Sequence, residues 1–312
     1  MSRKRQGRSV HGWLVIDKAR GVTSTQAVTR IRRLLDPQKV GHGGTLDPLA
    51  TGVLPIALGE ATKIVPYVMD WCKTYRFTVR WGQATDTDDA DGQVIEETTA
   101  RPSEADIRSG LPRLTGTIEQ IPPAYSAVKV AGRRAYDLAR AHEPFELRSR
   151  PVRVDRFELV GINDADRATF EVTCGKGAYM RAIARDLGRS LGCLAHIESL
   201  RRLAVGPFTD DRAVSLQPLE ASQDNDLASE HLLPIEAGLA DVPALAVTAS
   251  EANRLRCGQA MIMLNRANNE RIREYRIGAV ICAMSGGEPV ALARLEAGDL
   301  RPVRVFNLGR GN

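Results

Sequence analysis

Residues 41–52 read GHGGTLDPLATG, and this stretch is the most informative part of the chain. Its four glycines permit close backbone approach and unusual backbone angles, and Pro48 disfavours helix at the residue before it. The loop therefore displays one carboxylate, Asp47, with no metal ligands nearby in sequence. We predict that Asp47 is a nucleophile. The alternative is a surface turn, the structure that most loops rich in Gly, Asp and Pro form.

The segments that follow this loop predict an α+β fold. Residues 53–58 are an apolar run suited to a buried strand, and residues 75–81 alternate between apolar and polar side chains, as a strand with one buried face does. Residues 170–174 alternate in the same way and run into a helix near Met180. Because many predicted strands adjoin other strands, we expect a mixed, mainly antiparallel sheet with flanking helices.

The segments that precede the loop fit the same class. Residues 13–16 are apolar and read as a strand. A helix then opens at Thr23, where the spacing to Gln26 matches a capping box, and Pro37 ends it.

The length of 312 residues exceeds that of an ordinary single domain and favours a division into one large and one small domain. We place the large domain at residues 1–241. Within it, residues 123–150 combine little strand signal with much positive charge, as a basic insertion or a plain surface helix would. Residues 242–312 contain several short apolar runs, which predict a small β-barrel.

The composition indicates an ordinary globular protein, with 43% hydrophobic and 26% charged residues. Aromatic residues contribute only 5%, so we expect no broad base-stacking surface of the single-strand-binding type. The net charge of +5 suits a polyanionic partner. Basic clusters at residues 3–8, 30–33, 133–134 and 148–156 are each a solvated face or, taken together, a track for phosphates.

Neither the cysteines nor the acidic run predicts a metal site. The five cysteines form no CxxC pair and match no zinc spacing, so we expect reduced thiols, mostly buried. The run TDTDDADG at residues 85–92 fails as a calcium loop, because Ala90 and Asp91 stand where an oxygen ligand and a glycine are required. We read it as a polar turn.

The chain has no apolar signal-peptide core and no apolar stretch approaching the roughly 20 residues needed to cross a bilayer. Together with the reduced thiols, these features predict a cytoplasmic protein without membrane contact.

Several motifs accompany the loop in a fixed order: KTYR at residues 73–76, the acidic run, GKGAYMR at residues 175–181 and LRRLAV at residues 200–205. In order and separation the set closely resembles the TruB family of tRNA pseudouridine synthases. The resemblance spans roughly residues 10–210. One departure is Ala19, which stands where the family usually has proline after the lysine.

The resemblance implies an isomerase that converts the T-loop uridine of tRNA, position 55 in tRNA numbering, to pseudouridine. The base is flipped out of its stack, and Asp47 attacks either C1′ of the sugar or C6 of the base. The family also implies a pseudouridine-synthase sheet, an RNA-gripping insertion and a PUA-like C-terminal domain. Since the reaction involves no redox change or net hydrolysis, we expect no cofactor and no metal.

The resemblance assigns further site residues beside Asp47. Tyr75 stacks on the flipped base and takes or relays a proton, and Arg181 pairs with Asp47 to aim it. Tyr179 and Leu200 line the uracil pocket. Taken alone, Tyr75 reads as a core tyrosine at the start of a strand, Arg181 as one of many helix arginines, and the other two as core residues.

Three polar residues complete the predicted site. His42 fills the space vacated by the extruded nucleotide in family terms, although a general base or a histidine satisfied by loop backbone also fits. Lys18 and Lys63 are expected to contact phosphate, with solvated surface lysine as the alternative.

The leading function is thus a stand-alone, monomeric tRNA pseudouridine synthase that recognises the T-arm stem-loop. Two alternatives remain: a guide-RNA-dependent pseudouridine synthase, and a non-catalytic RNA-binding or RNA-folding protein. The presence of Asp47, Tyr75 and Arg181 together argues against pure binding.

Overall fold

The computed structural model describes residues 7–221, 226–263 and 270–308. The basic residues at positions 3–5 lie outside these ranges. The strands are β1 (Gly12–Lys18), β2 (Val40–His42), β3 (Thr51–Leu58), β4 (Lys73–Trp81), β5 (Gln83–Thr85), β6 (Val94–Glu97), β7 (Gly116–Gln120), β8 (Lys129–Val130), β9 (Arg133–Arg134), β10 (Arg150–Asp164), β11 (Arg167–Cys174), β12 (Ala195–Val205), β13 (Phe208–Thr209), β14 (Val214–Ser215), β15 (Ala244–Ala246), β16 (Met261–Ile262), β17 (Val280–Ser285), β18 (Glu288–Glu296) and β19 (Asp299–Val305). The helices are α1 (Ser24–Leu35), α2 (Val65–Asp70), α3 (Glu104–Gly110), α4 (Ala135–Arg140), α5 (Met180–Ser190), α6 (Leu216–Ala221), α7 (Asp226–Glu230) and α8 (Ala249–Arg256).

One sheet of ten strands dominates the molecule. Its order is β14-β1-β3-β12-β4-β11-β10-β7, with β2 added beside β3 and β13 beside β12. Strand β1 pairs in parallel with β14, and β3 pairs in parallel with β12, whereas the other described pairings in this sheet are antiparallel. The predicted mixed, mainly antiparallel α+β sheet is therefore confirmed.

The central strand β4 shows why the sheet folds with one apolar face. Phe77 and Val79 are buried on that face, while Arg76 on the opposite face is exposed. Helix α5 packs Ile183 and Leu187 into the same apolar cluster. The strand begins at Lys73, two residues before the predicted start, because the antiparallel ladder with β11 extends to that residue.

The helix predicted from its capping box forms α1. Thr23 accepts a hydrogen bond from the backbone of Gln26, and the Gln26 side chain accepts one from the Thr23 backbone. The region predicted as an insertion, residues 123–150, contains the hairpin β8–β9 and the short helix α4.

The second sheet has five strands in the order β15-β17-β18-β19-β16, in agreement with the small β domain predicted from the sequence. It carries its own apolar core, to which Leu255 and Leu300 belong. It also shares a cluster with the large sheet, where Cys282, Leu292 and Phe306 join residues such as Trp13. A division at residue 241 stays a prediction, and part of residues 242–312 lies outside the described ranges.

All five cysteines are free thiols, and Cys174, Cys193 and Cys282 are buried, as predicted. No helix in the part of the chain that the structure describes is long and apolar enough to cross a membrane.

Candidate active site

The loop that carries Asp47 connects β2 to β3 and is fixed by backbone contacts on both sides of the carboxylate. The Ser24 hydroxyl accepts a hydrogen bond from the Leu46 N–H at 2.8 Å and donates to the Leu46 carbonyl at 3.1 Å. The Gly21 N–H donates to the Pro48 carbonyl at 2.8 Å. Gly52 has a φ of +97°, and a Cβ there would lie 2.2 Å from the Arg202 carbonyl oxygen. The loop therefore packs directly against β12 at a position that only glycine suits.

The Asp47 carboxylate is paired with the buried guanidinium of Arg181. Arg181 Nη2 lies 2.9 Å from Asp47 Oδ2, and the side chains are 5% and 38% exposed respectively. The same guanidinium donates to the Thr87 carbonyl at 3.0 Å and to the Tyr125 carbonyl at 2.9 Å. One side chain on α5 thus joins the Asp47 loop, the acidic turn and the basic insertion.

Asp89 is a site residue that the sequence reasoning missed. Its carboxylate lies 3.6 Å from Arg181 Nε, on a side chain only 7% exposed, and accepts hydrogen bonds from the Thr87 hydroxyl and the Asp91 N–H. Burial raises the pKa of Asp89, which the hydrogen bond from Thr87 and the charge of Arg181 oppose. Arg181 is therefore held between two carboxylates, and Asp89 restricts how its guanidinium can turn.

A second arginine of α5 secures the same acidic turn. Arg185 Nη1 lies 2.9 Å from Asp88 Oδ2, and Arg185 Nη2 donates to the Ile121 carbonyl at 2.7 Å. Arg181 and Arg185 are four residues apart and so project from one face of the helix. That spacing opposite an acidic run was the available sequence signal for this contact.

Tyr75 starts the apolar face of β4 and stands directly opposite Arg202 of β12 in the antiparallel ladder. Directly paired residues have Cβ atoms about 4.5–5.5 Å apart, so the side chains of Tyr75 and Arg202 leave their strands next to each other. Burial raises the pKa of Tyr75, and the positive charge of Arg202 acts in the opposite direction. The sequence motif LRRLAV contains Arg202, but only Leu200 was assigned from it.

Arg202 is only 1% exposed, and its guanidinium binds backbone carbonyls. Its Nε donates to Val53 at 2.7 Å, Nη2 to Gly44 at 3.0 Å, and Nη1 to Thr45 at 3.4 Å. Within residues 7–221, 226–263 and 270–308, no carboxylate forms an ion pair with it.

Tyr179 precedes α5 and is held by the fully buried amide of Gln120. The Tyr179 N–H donates to Gln120 Oε1 at 2.8 Å, and Gln120 Nε2 donates back to the Tyr179 carbonyl at 3.2 Å. The Arg150 guanidinium carbon lies 5.3 Å from the centre of the Tyr179 ring. Leu200 is 7% exposed and pairs with Phe77 across the ladder, so packing is part of its role.

His42 ends β2 and is half-buried beside the same loop. Its Nδ1 accepts a hydrogen bond from the Gly44 N–H at 3.3 Å. Burial lowers the pKa of His42, and the positive charge of Arg202 lowers it further, which favours the neutral ring. The loop backbone therefore satisfies one nitrogen, one of the roles expected for this residue.

The two lysines expected to contact phosphate have internal partners in the structure. Lys18 is fully buried, and its ammonium donates to the carbonyls of Ala19, Val22 and Pro48 at 3.0, 2.7 and 3.3 Å. Burial lowers the pKa of Lys18 to about 8. These three bonds use all its donors, so Lys18 supports the Asp47 loop in place of the phosphate contact expected from the sequence.

Lys63 also has internal partners. Its ammonium pairs with Glu60 and donates to the Val305 carbonyl of the second sheet at 2.6 Å. Glu60 in turn accepts a hydrogen bond from the Asn307 N–H at 2.7 Å. Lys63 therefore links the two sheets, and a phosphate would have to compete with those contacts.

The described residues include no group of three or more His, Cys, Asp or Glu side chains placed to hold a metal ion.

The chain is similar to known proteins along its whole length. Residues 32–180 match the model of the TruB family pseudouridylate synthase N-terminal domain, and residues 181–240 match that of the tRNA pseudouridylate synthase B C-terminal domain. A tRNA pseudouridine synthase B of Rhodospirillum rubrum is 52% identical, with 99% of this chain and 100% of that protein covered. One from Gluconacetobacter diazotrophicus is 51% identical, covering 97% and 100%.

A solved structure of an H/ACA RNP bound to a substrate RNA containing 2′-deoxyuridine has the same fold, with a TM-score of 0.72 at 22% identity. The match covers 95% of this chain and 85% of the matched chain in that structure. Matches of this extent, together with the Asp47 loop and its arginine partner, show that the chain belongs to the TruB family of pseudouridylate synthases.

Proposed function

We propose that Asp47, Tyr75 and Arg181 carry out the reaction of this tRNA pseudouridine synthase on the uridine at position 55 of the T-loop. The observation that carries the proposal is the ion pair at the Asp47 loop. A half-exposed carboxylate stands 2.9 Å from a guanidinium that is itself buried. Because two backbone carbonyls fix Arg181, its guanidinium holds the Asp47 carboxylate in one orientation, and the exposed part of that carboxylate is left to meet the substrate.

The reaction is an isomerisation, in which uridine and pseudouridine contain the same atoms and carry the same charge. The C1′–N1 bond of uridine breaks, the uracil rotates, and a C1′–C5 bond forms. The proton on C5 is then lost and N1 gains one, so no oxidant, reductant or water is consumed. Asp47 supplies the nucleophile, at C1′ or at C6, and leaves as the product forms.

The detached uracil must be held while it rotates, because the reacting atoms become accessible only after the base leaves its stack. Tyr75 stacks on the flipped base and takes or relays the proton, while Tyr179 and Leu200 line the pocket. The Gln120 amide fixes the backbone of Tyr179, and Arg150 lies over its ring. His42 occupies the space that the flipped nucleotide leaves.

The substrate is the T-arm stem-loop of tRNA, bound through the positive charge of the chain by a monomeric, cytoplasmic protein. The insertion at residues 123–150 and the second sheet contribute binding rather than chemistry. Neither a cofactor nor a metal is required. The relatives at 51–52% identity are named as tRNA pseudouridine synthases and are covered completely, which supports a stand-alone enzyme over a guide-RNA-dependent one.

Mapping of pseudouridine at single-nucleotide resolution tests this function. An unmodified tRNA transcript is incubated with the purified protein, with no guide RNA or other protein added. We expect one new pseudouridine, at position 55 of the T-loop. Modification at another uridine would change the substrate assignment, and modification only after a guide RNA is added would favour the guide-dependent alternative.

A further inference from the structure

Arg202 is a fully buried cation beside the active-site loop. Its contacts are unusual for a charged residue. A buried charge is normally compensated by an opposite charge, because removing it from water is costly. Across the described parts of the chain, Arg202 has no carboxylate partner, and its three nitrogens donate to the backbone carbonyls of Val53, Gly44 and Thr45.

These contacts place Arg202 between the two chemical groups of the site. On one side its Nη atoms bind the loop carbonyls two and three residues before Asp47. On the other side it stands directly opposite Tyr75 in the ladder between β12 and β4, where its charge acts on the pKa of that phenol. Its Nε is fixed to β3, a strand of the central sheet. A single side chain is therefore bound to the loop and to β3 and stands beside Tyr75.

Other buried cations surround this position. Lys18 and Lys73 are 0% and 6% exposed, and burial, to which the positive charge of Arg202 adds, lowers the pKa of each to about 8. A neutral side chain here would relieve that repulsion. The presence of a third buried cation thus points to a role that needs a guanidinium at this place.

We propose that Arg202 is a positioning residue for the isomerisation, which keeps the Tyr75 side chain in register with the Asp47 loop through its hydrogen bonds to the loop and to β3 and through its place opposite Tyr75 in the ladder. This inference rests on the proposed function, in which the Tyr75 hydroxyl takes part in the reaction. Arg202 does not contact the substrate in this account. It acts through Tyr75.

A double-mutant cycle tests the coupling, with single-turnover rates measured at saturating tRNA transcript. We expect Tyr75→Phe alone to slow the chemical step on the order of 100-fold. Arg202→Lys alone should slow it by a similar factor, on the order of 100-fold, because lysine cannot form the fork of hydrogen bonds. The double variant should be no more than about threefold slower than Tyr75→Phe, since the group through which Arg202 acts is already absent.

The outcomes separate this inference from the proposed function. If Tyr75→Phe slows the reaction and the two losses multiply in the double variant, Arg202 acts independently of the hydroxyl and the inference is wrong. If Tyr75→Phe reacts at the wild-type rate, the proposed role of the hydroxyl itself fails. Arg80→Gln is the matched control, because Arg80 lies on the same strand as Tyr75 and pairs with Glu198 at 3.8 Å; its rate should equal that of wild type.

A second measurement does not depend on activity. The protein contains six tyrosines, and labelling with 3-fluorotyrosine gives each a fluorine signal that Tyr75→Phe assigns for position 75. We expect the chemical shift of the Tyr75 signal to change in Arg202→Lys and in Arg202→Gln. It should stay the same in Arg80→Gln. The spread of the other five fluorine signals shows whether each variant is folded. An unmoved Tyr75 signal in a folded Arg202 variant would overturn the inference.

Discussion

Two buried arginines flank the loop that carries Asp47, and they are held in different ways. Arg181 lies between the carboxylates of Asp47 and Asp89, at 2.9 and 3.6 Å. Arg202 binds backbone carbonyls and stands opposite Tyr75 in the ladder, with no carboxylate partner among the residues described. The first can orient a reacting carboxylate directly, whereas the second sets the position of a neutral phenol.

The two arginines also depend on different parts of the fold. Arg181 holds a turn and an insertion, through the carbonyls of Thr87 and Tyr125. Arg202 holds β3 through Val53, whose side chain belongs to the cluster shared with the second sheet. Changes at Arg181 should therefore affect chemistry first, and changes behind Arg202 should affect stability as well.

The largest effect in this comparison is expected from Arg181→Lys. Lysine keeps the charge but cannot bind Asp47 and two carbonyls at once, so we expect the single-turnover rate to fall on the order of 1000-fold. The affinity for tRNA should change little. Arg185→Lys is the control, because Arg185 lies one turn further along the helix and pairs with Asp88. Equal losses in both variants would show that Arg181 acts only by holding the acidic turn.

A smaller effect is expected at Tyr75, where two substitutions separate the ring from its hydroxyl. Tyr75→Phe should slow the chemical step on the order of 100-fold with little change in affinity. Tyr75→Leu removes the stacking face as well and should slow it further. Near-normal single-turnover rates in both variants would show that Tyr75 only packs in the core. Arg202 would then have no reacting group to position, and the contrast with Arg181 would be lost.

The smallest effect on rate is expected at Phe306, which is 2% exposed in the shared cluster behind β3. Phe306→Ala should lower the free energy of unfolding by about 3–5 kcal/mol through the cavity it leaves. Because every residue assigned to chemistry stays in place, the single-turnover rate of the folded fraction should remain near that of wild type. The measurement is thermal unfolding of the wild type and of Phe306→Ala. If the wild-type protein unfolded in two separate steps, the shared cluster would not join the two sheets into one cooperative unit.

Local sequence patterns predicted the fold where a single strand or helix carries the signal. The alternation after Tyr75 predicted β4, and the capping box at Thr23 predicted α1. The resemblance to the TruB family implied that Arg181 would pair with Asp47, and this contact is present in the structure.

What the sequence could not predict are contacts between distant segments. The position of Arg202 opposite Tyr75 depends on the register between β12 and β4, which no local pattern specifies. Lys18 was expected to contact phosphate or solvent, yet it is fully buried against loop carbonyls. Lys63 meets a carbonyl 242 residues away, at Val305. Each of these depends on tertiary packing.

The claim that the Asp47 carboxylate performs the chemistry is tested most directly by Asp47→Asn. The amide has nearly the same shape but cannot act as the nucleophile, so we expect no pseudouridine under single-turnover conditions at saturating tRNA, with unchanged RNA affinity. The Arg181 side chain should stay in place, held by Thr87, Tyr125 and Asp89. Turnover near the wild-type rate by a purified Asp47→Asn protein would contradict the account.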